Sequence, residues 1–210
     1  MRLQKLGHAC LLVEDGSARV LIDPGTFSTG FEGLTGLSGI LITHQHPDHI
    51  DVARLPGLLE SNPEATLYCD EGSAEELAAK GIDAQIVHEG DDLDIGLRVR
   101  VFGHQHAVIH PDVPRIPNVG YLVAQRLFHP GDAFTSPDVD TIEVLALPTA
   151  APWLKVAEAV DYLRRVRPRL AVPIHEAHLA MPQLHYGLFD RLAPEGTKVR
   201  VIDGEAGMEI

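Results

Sequence analysis

Gly39-Ile-Leu-Ile-Thr-His-Gln-His-Pro-Asp-His-Ile50 is the stretch of the chain that decides its fold and its chemistry. It begins as a continuously apolar run, which is typical of a strand buried inside a sheet. It continues into a loop that carries four side chains able to bind a metal ion. Those four side chains are His44, His46, Asp48 and His49. A strand that ends in such a loop predicts a metal site at the edge of a sheet.

The spacing within this loop divides the four side chains between two ions. In an extended segment, side chains two residues apart point the same way, so His44 and His46 are placed to hold one ion from the same side. We expect the chain to turn at Pro47 and to begin a helix, which directs Asp48 and His49 towards a second ion. One loop therefore predicts two adjacent metal sites. The alternative interpretation is a solvated, histidine-rich turn.

Composition places the chain among ordinary globular proteins. Its 210 residues are 45% hydrophobic, which predicts one domain spanning residues 1–210. The formal charge of -13 disfavours nucleic acid as a partner, because an acidic surface repels phosphate backbones. The apolar stretch at 9–13 is too short for a signal peptide or a membrane span, so we expect a cytoplasmic protein that does not bind membranes. Cys10 and Cys69 lack C-x-x-C spacing, which predicts free thiols.

Strand patterns come in two runs, each followed by helical patterns. Ser73 and Glu76 have the spacing of a capping box and predict a helix over 73–80, which Gly81 ends. Pro152 suits the first position of a second helix, one face of which includes Trp153. A third helix is predicted over 182–192. The predicted strands cover residues 3–6, 10–14, 19–22, 39–42, 66–69, 85–87, 97–102, 119–124, 127–129, 142–145, 170–173 and 198–202. This order suits an α/β (α+β) fold in which two sheets pack face to face inside outer helices, a four-layer αββα sandwich.

The pattern His44-x-His-x-Asp-His49 resembles the signature of the metallo-β-lactamase superfamily, and the resemblance extends over nearly the whole chain. Within that superfamily the chain looks most like the branch containing ascorbate-6-phosphate lactonase and related small metal-dependent hydrolases. The other matching segments are Leu6-Gly-His-Ala, Leu21-Ile-Asp-Pro, Gly103-His-Gln-His-Ala, His129-Pro-Gly-Asp and Val172-Pro-Ile-His. The resemblance implies the metallo-β-lactamase fold and a dinuclear metal site.

The resemblance also implies which residues from other segments complete that site. Asp132 matches the carboxylate that bridges the two metals, and His175 matches the last ligand of the second metal. The third ligand of the first metal is His106, which precedes a small residue as in the family pattern, and His104 is the next candidate. His110 follows them in the same segment and is expected to line the pocket or to be a loop histidine.

Further residues are expected near the metals without binding them. His8 and Asp23 sit at strand ends in family-like motifs, where an aspartate commonly orients a metal-binding imidazole. An ordinary Asp-Pro turn is the alternative for Asp23. Arg115 and Asn118, in the loop after His110, are candidate anchors for a substrate carboxylate or phosphate.

These residues predict a hydrolase with two divalent metal ions. Zinc suits the histidine-rich ligand set, although manganese or iron is also accepted by mixed nitrogen and oxygen ligands. A bridging hydroxide would attack a small ester, lactone or phosphoester, with Asp48 as the catalytic residue that orients it. A locally positive centre favours an anionic small molecule as substrate. The alternatives are a small phosphodiesterase or nuclease-like enzyme, a thioesterase of the same fold, and a non-catalytic metal-binding protein. The sequence makes no prediction of oligomeric state.

Overall fold

The computed structural model describes residues 1–202 and 207–210 and contains two seven-stranded sheets. The strands of the first sheet are β1 (Arg2–Lys5), β2 (Leu11–Asp15), β3 (Ala18–Ile22), β4 (Gly39–Leu41), β5 (Thr66–Cys69), β6 (Gln85–Ile86) and, from the end of the chain, β14 (Met208–Glu209). The strands of the second sheet are β7 (Asp92–Asp94), β8 (Arg98–Phe102), β9 (Gly120–Val123), β10 (Leu127–His129), β11 (Val144–Pro148), β12 (Leu170–Ile174) and β13 (Lys198–Val199).

Each sheet changes from antiparallel to parallel pairing across its width. In the first sheet, β14, β1, β2 and β3 pair in antiparallel fashion, and β4, β5 and β6 then continue from β3 in parallel. In the second sheet, β7 to β10 are antiparallel, and β11, β12 and β13 continue from β10 in parallel. Parallel strands bring their carboxyl ends to the same edge of a sheet, which is where sites in such sheets form.

Apolar side chains from the facing surfaces of the two sheets form the inner core. Along β2 the side chains alternate, so that Leu11 and Val13 enter this core while Leu12 faces outwards. From the second sheet, Val99 and Val101 of β8 pack into the same core. The two sheets therefore lie face to face, with their apolar sides buried between them.

Helices cover the outer face of each sheet. On the first sheet, α1 (Leu55–Ser61) and α2 (Glu71–Ala78) contribute Leu58 and Leu77 to an outer core. On the second sheet, α3 (Val156–Val166) and α4 (Gln183–Leu192) contribute Leu163 and Phe189. The order helix, sheet, sheet, helix confirms the predicted αββα sandwich. None of the helices in the described part of the chain has the length and apolar content that crossing a membrane requires.

The prediction that a helix begins at Pro47 was wrong. The backbone N–H groups of His49 and Ile50 both donate to the carbonyl of His46, which makes a tight turn, and α1 begins only at Leu55. The turn still separates the side chains of the loop as expected, because it rotates the chain after the second histidine.

Two other helix starts also differ from the prediction. Helix α2 begins at Glu71 because Asp70 is its N-cap, accepting hydrogen bonds from the N–H groups of Gly72 (2.8 Å) and Ser73 (3.2 Å), so the capping box at Ser73 was wrong. Helix α3 begins at Val156, so Pro152 and Trp153 lie in the preceding loop. Helix α1 and strands β7 and β14 were not predicted.

Candidate metal centre

The predicted metal-binding loop follows β4 and places two histidines side by side. His44 Nε2 lies 3.1 Å from His46 Nδ1. The imidazole of His106, from the loop after β8, lies 5.0 Å from that of His44 and 4.8 Å from that of His46, measured between ring centroids. Together with Asp132 these residues offer ligand atoms that all lie within 4.8 Å of one another. Two nitrogen ligands of one tetrahedral zinc ion lie about 3.4 Å apart, so the spacing suits a shared ion.

A second cluster lies beside the first. Its members are His8, Asp48, His49 and His175, whose ligand atoms also lie within 4.8 Å of one another. His175 follows β12 in the second sheet, and its Nε2 lies 3.2 Å from Asp48 Oδ2. The loop after β4 therefore contributes to both clusters, as its spacing predicts.

The carboxylate of Asp132 lies between the two clusters. Its Oδ1 is 3.2 Å from Nε2 of His49 and 3.2 Å from Nε2 of His175. Its Oδ2 is 3.5 Å from Nε2 of His106 in the first cluster. One oxygen thus faces each cluster, which is the arrangement that a bridging carboxylate requires.

The centre leaves buried polar atoms without hydrogen-bond partners. Those atoms are Nε2 of His49, His106 and His175 and Oδ1 of Asp132. Leaving one such atom unsatisfied costs about 1–3 kcal/mol, so several at one point indicate a ligand that the side chains are shaped to hold. Imidazole nitrogens and carboxylate oxygens are ligands of divalent metals, and the residues present therefore fit a dinuclear centre.

Hydrogen bonds on the far side of each imidazole fix its orientation. Nδ1 of His106 lies 2.6 Å from the carbonyl of Ala107, and Nδ1 of His175 lies 2.5 Å from the carbonyl of Ala150. A carbonyl can only accept, so each Nδ1 carries a proton, and Nε2 is the nitrogen that would bind a metal once it is free of a second proton. Both imidazoles are therefore oriented to bind a metal through Nε2.

Asp23 performs the same task for His49, which supports the orienting role expected from the sequence. It is fully buried after β3, and its Oδ2 lies 2.7 Å from His49 Nδ1. The backbone N–H and the hydroxyl of Thr43 also donate to the Asp23 carboxylate, each over 2.8 Å. Both oxygens of Asp23 thus accept from protein donors, and its role is to hold the imidazole in place.

His8 contacts the second cluster through its Nε2. Its Nδ1 accepts a hydrogen bond from the backbone N–H of Ala177 over 3.2 Å, so its Nε2 carries the proton and donates to Asp48 Oδ2 over 3.0 Å. This tautomer makes His8 a donor that orients Asp48. Of the six described non-glycine residues with positive φ, three lie here: His8, Asp23 and His175. Such strained backbone persists where surrounding structure holds a site in place.

Electrostatic coupling in the centre is strong. Burial alone would raise the pKa of Asp132, but the charges of His49 and His175 outweigh it and hold that pKa well below its usual range. Burial likewise opposes the charged form of His175, yet Asp132 raises its pKa to about 9. In His44, burial dominates and lowers the pKa well below the usual value. Metal binding here would release protons from histidines that otherwise balance the carboxylates.

Trp153 is a site residue, although its helical periodicity predicted a position on a core-facing helix. Its indole Nε1 donates to Asp132 Oδ2 over 2.9 Å. Asn118 holds the same residue from its backbone, accepting from the N–H of Asp132 over 2.9 Å while donating to the carbonyl of Pro130 over 3.0 Å. Both residues therefore position Asp132. The fully buried Asn118 side chain is not available as a substrate anchor.

The remaining candidates lie outside both clusters. The side chain of His104 is 73% exposed and faces Glu89, so His106 is the histidine that joins the first cluster. His110 is 62% exposed and faces Asp112. Arg115 does not line the cavity above the clusters, and its guanidinium Nε and Nη2 donate to the carbonyl of His106 over 2.9 and 2.7 Å.

A cavity of about 380 Å³ opens onto the two clusters. Metal-ligand candidates form its floor. The rest of its wall comes from the loops after β3, β4 and β8 and from the segments that precede α3 and α4. The lining residues are Thr26, Phe27, His46, Pro47, Asp48, His106, Ile109, Asp132, Pro152, Trp153, His175 and His178.

Comparison with known proteins agrees with this geometry. A model of the beta-lactamase superfamily domain matches residues 2–175. The chain belongs to the metallo-β-lactamase superfamily. Within it, a UPF0173 protein of Pyrococcus furiosus is 30% identical over 210 residues, covering 94% of this chain and 89% of its own length. Other UPF0173 relatives are named metal-dependent hydrolases. The chain is therefore a member of the UPF0173 metal-dependent hydrolase family.

Two further proteins are similar to most of this chain. Protein Rv0786c of Mycobacterium tuberculosis is 58% identical over 186 residues, which cover 86% of each chain. The metallo-beta-lactamase fold protein YhfI of Bacillus subtilis has a TM-score of 0.73 at 14% identity, covering 99% of this chain and 97% of its own, which shows a shared fold. The predicted superfamily is confirmed, and the branch of ascorbate-6-phosphate lactonase stays a prediction.

Proposed function

We propose that this protein hydrolyses an ester, lactone or related bond in a small molecule, using two divalent metal ions held at the candidate centre. The observation that carries the proposal is the position of the Asp132 carboxylate, whose two oxygens face different clusters while Oδ1 has no hydrogen-bond partner. A carboxylate placed in this way suits two ions held side by side and a water activated between them.

The residues divide between the two ions as follows. His44, His46 and His106 would hold the first ion, and Asp48, His49 and His175 the second, with Asp132 shared. When bound, such ions lower the pKa of a water to near neutrality and polarise the bond to be broken. We propose zinc, because imidazole nitrogens form most of the ligand set.

Asp48 is the residue proposed to orient the attacking water. Its carboxylate lines the cavity and is 16% exposed, so it faces both the second cluster and the open cavity. The hydrogen bond from His8 Nε2 fixes one of its oxygens. The other oxygen is left to accept the proton of the water as the bond to the substrate forms.

Paired histidine substitutions test this proposal. His106→Ala removes a ligand candidate, whereas His104→Ala removes an exposed imidazole from the same loop. We expect protein purified without added metal to contain about two ions per chain. His106→Ala should lose at least one of these ions and should no longer hydrolyse lactone, thioester and phosphodiester probes. His104→Ala should keep both its metal content and its activity. Elemental analysis and initial rates provide the readouts. Undiminished hydrolysis by metal-stripped protein would overturn the proposal.

A further inference from the structure

The walls of the cavity above the metal centre are apolar. Beyond the metal-ligand candidates, they are formed mainly by Phe27, Pro47, Ile109, Pro152 and Trp153. Among the described residues that line this cavity, none is Lys or Arg. A bound group that extends from the metals towards the opening therefore contacts carbon.

Phe27 and Ile109 stand at the opening and are partly exposed. Phe27 is 48% exposed and Ile109 is 38% exposed. Phe27 is nevertheless held in position, since its ring packs edge-on against His8 at 5.3 Å and His178 at 5.4 Å, measured between ring centroids. A fixed aromatic ring at the entrance is a preformed contact surface for an apolar ligand.

Three cations that contact residues of this cavity or their chain neighbours are directed to protein partners. Arg115 donates to the carbonyl of His106, and Arg54 donates to the side chain of Asp51 and to the carbonyl of Gly25. Lys5 is buried and pairs with Glu176 over 2.5 Å. Arg115, Arg54 and Lys5 are therefore engaged with protein partners, and no Lys or Arg among the described residues that line the cavity can receive a carboxylate or phosphate at a distance from the metals.

We propose that the substrate is a neutral molecule whose reacting carbonyl reaches the metals and whose flanking acyl group is apolar. This inference rests on the proposed hydrolytic function and narrows its substrate class. Each methylene that the wall removes from water favours binding about fourfold. A charged group in the same place would lose water without gaining a partner. The apolar wall thus favours a different substrate from the anionic one that the charge of the metals alone suggests.

Two esters of matched length test the proposal on metal-loaded protein. Para-nitrophenyl butyrate and para-nitrophenyl hemisuccinate differ in the end of the acyl chain, which is a methyl group in one and a carboxylate in the other. After correction for the rate of each with hydroxide, we expect kcat/KM to be at least tenfold higher for the butyrate. An equal or higher value for the hemisuccinate would overturn the inference while leaving the proposed function standing.

Intrinsic fluorescence gives a readout that does not depend on hydrolysis. Trp153 is the one tryptophan in the chain and lines the cavity, so its emission reports occupancy. We expect pentanamide to change this emission at a concentration at least tenfold lower than succinamate does. Binding in this order without ester hydrolysis would refute the proposed function and retain only the preference of the cavity for neutral, apolar ligands. Failure of both amides to bind, like tighter binding of succinamate, would refute the inference.

Variants at the opening complete the test. We expect Phe27→Ala and Ile109→Ala each to weaken pentanamide binding at least threefold, and Ile109→Lys to raise kcat/KM for the hemisuccinate. Ile86→Ala is the matched control, because Ile86 is 49% exposed but lies on β6 and does not line this cavity. An effect of Ile86→Ala equal to that of Phe27→Ala would show that general loss of apolar surface explains the result, which refutes the inference.

Discussion

Gly25 is the residue at which the smallest change should cause the largest loss of function. It lies where the loop after β3 crosses the metal-binding loop, and a Cβ atom added to it would stand 1.9 Å from the carbonyl oxygen of Asp48 and 2.6 Å from the backbone nitrogen of His49. Carbon atoms of this type essentially never approach closer than 3.0 Å, so Gly25→Ala requires a displacement of about 1.1 Å. Both contacted residues belong to the second cluster.

A displacement of that size exceeds the tolerance of a metal or catalytic site, which is about 0.5 Å. A misplacement of about 1 Å lowers activity about 100-fold, which corresponds to about 2.7 kcal/mol in the activation free energy. For Gly25→Ala we therefore expect kcat/KM to fall at least 100-fold for the ester that the native protein hydrolyses. The affinity for the second metal ion should fall with it, as measured by competition with a chromogenic chelator.

Gly33→Ala is the matched control for this substitution. Gly33 lies in the same loop region, its φ is not positive, and an added Cβ would find no heavy atom within 4 Å. It should keep both metals and full activity, and circular dichroism should show that both variants are folded. If Gly25→Ala bound two metals with native affinity and retained kcat/KM within threefold of the native protein, the proposed rigidity of the crossing would be wrong.

Two further predictions concern Trp153 and Asp70. Trp153→Phe keeps an aromatic ring, smaller than the indole, but removes the donor to Asp132 Oδ2. Metal affinity should therefore fall about 10-fold with little change in melting temperature, and an unchanged affinity would assign the indole to packing alone. Burial raises the pKa of Asp70 to about 6, so the stability that its protonated form supplies is present below about pH 4 and is lost as the pH rises through 6. As the pH rises from about 4 to 7, the free energy of unfolding of Asp70→Asn, measured in urea, should increase by up to about 3 kcal/mol relative to that of the native chain. If the two free energies changed with pH in parallel, the raised pKa of Asp70 would be wrong.

The sequence alone predicts the direction of a side chain where the spacing of residues along one segment determines it. The loop from His44 to His49 follows directly from an apolar strand, and strand alternation already directs His44 and His46 to one side. The strand ends that carry Asp132 and His175 were likewise identified in the sequence, through their resemblance to a family pattern. These residues are brought together in the structure because parallel strands end at a common edge.

Local sequence was insufficient where a contact between distant segments decides the outcome. His104 and His106 differ by two positions, and the loop that carries them is held by more distant residues: Arg115 donates to the carbonyl of His106, and the N–H of Ala107 donates to the carbonyl of Asp132. Trp153 fits helical periodicity, but α3 begins three residues later and frees its indole to reach Asp132. Such roles follow from tertiary packing, which a pattern within one segment does not encode.

The two halves of the sandwich place equivalent carboxylates on either side of one imidazole. Asp23 follows β3 and Asp132 follows β10, the strands at which each sheet changes from antiparallel to parallel pairing. His49 lies between them, with Nδ1 2.7 Å from Asp23 and Nε2 3.2 Å from Asp132. Topology alone would make the two carboxylates interchangeable.

The residues around each carboxylate distinguish Asp23 from Asp132. Thr43 supplies two donors to Asp23, one to each oxygen, whereas Asp132 receives a side-chain donor only on Oδ2 and keeps Oδ1 without a partner. A cation is therefore favoured on the Asp132 side of His49 and excluded from the Asp23 side. Replacing Thr43 by Val should remove the hydroxyl donor, weaken the hold of Asp23 on His49 and so lower metal affinity, although Thr43 contacts no metal-facing atom of the cluster.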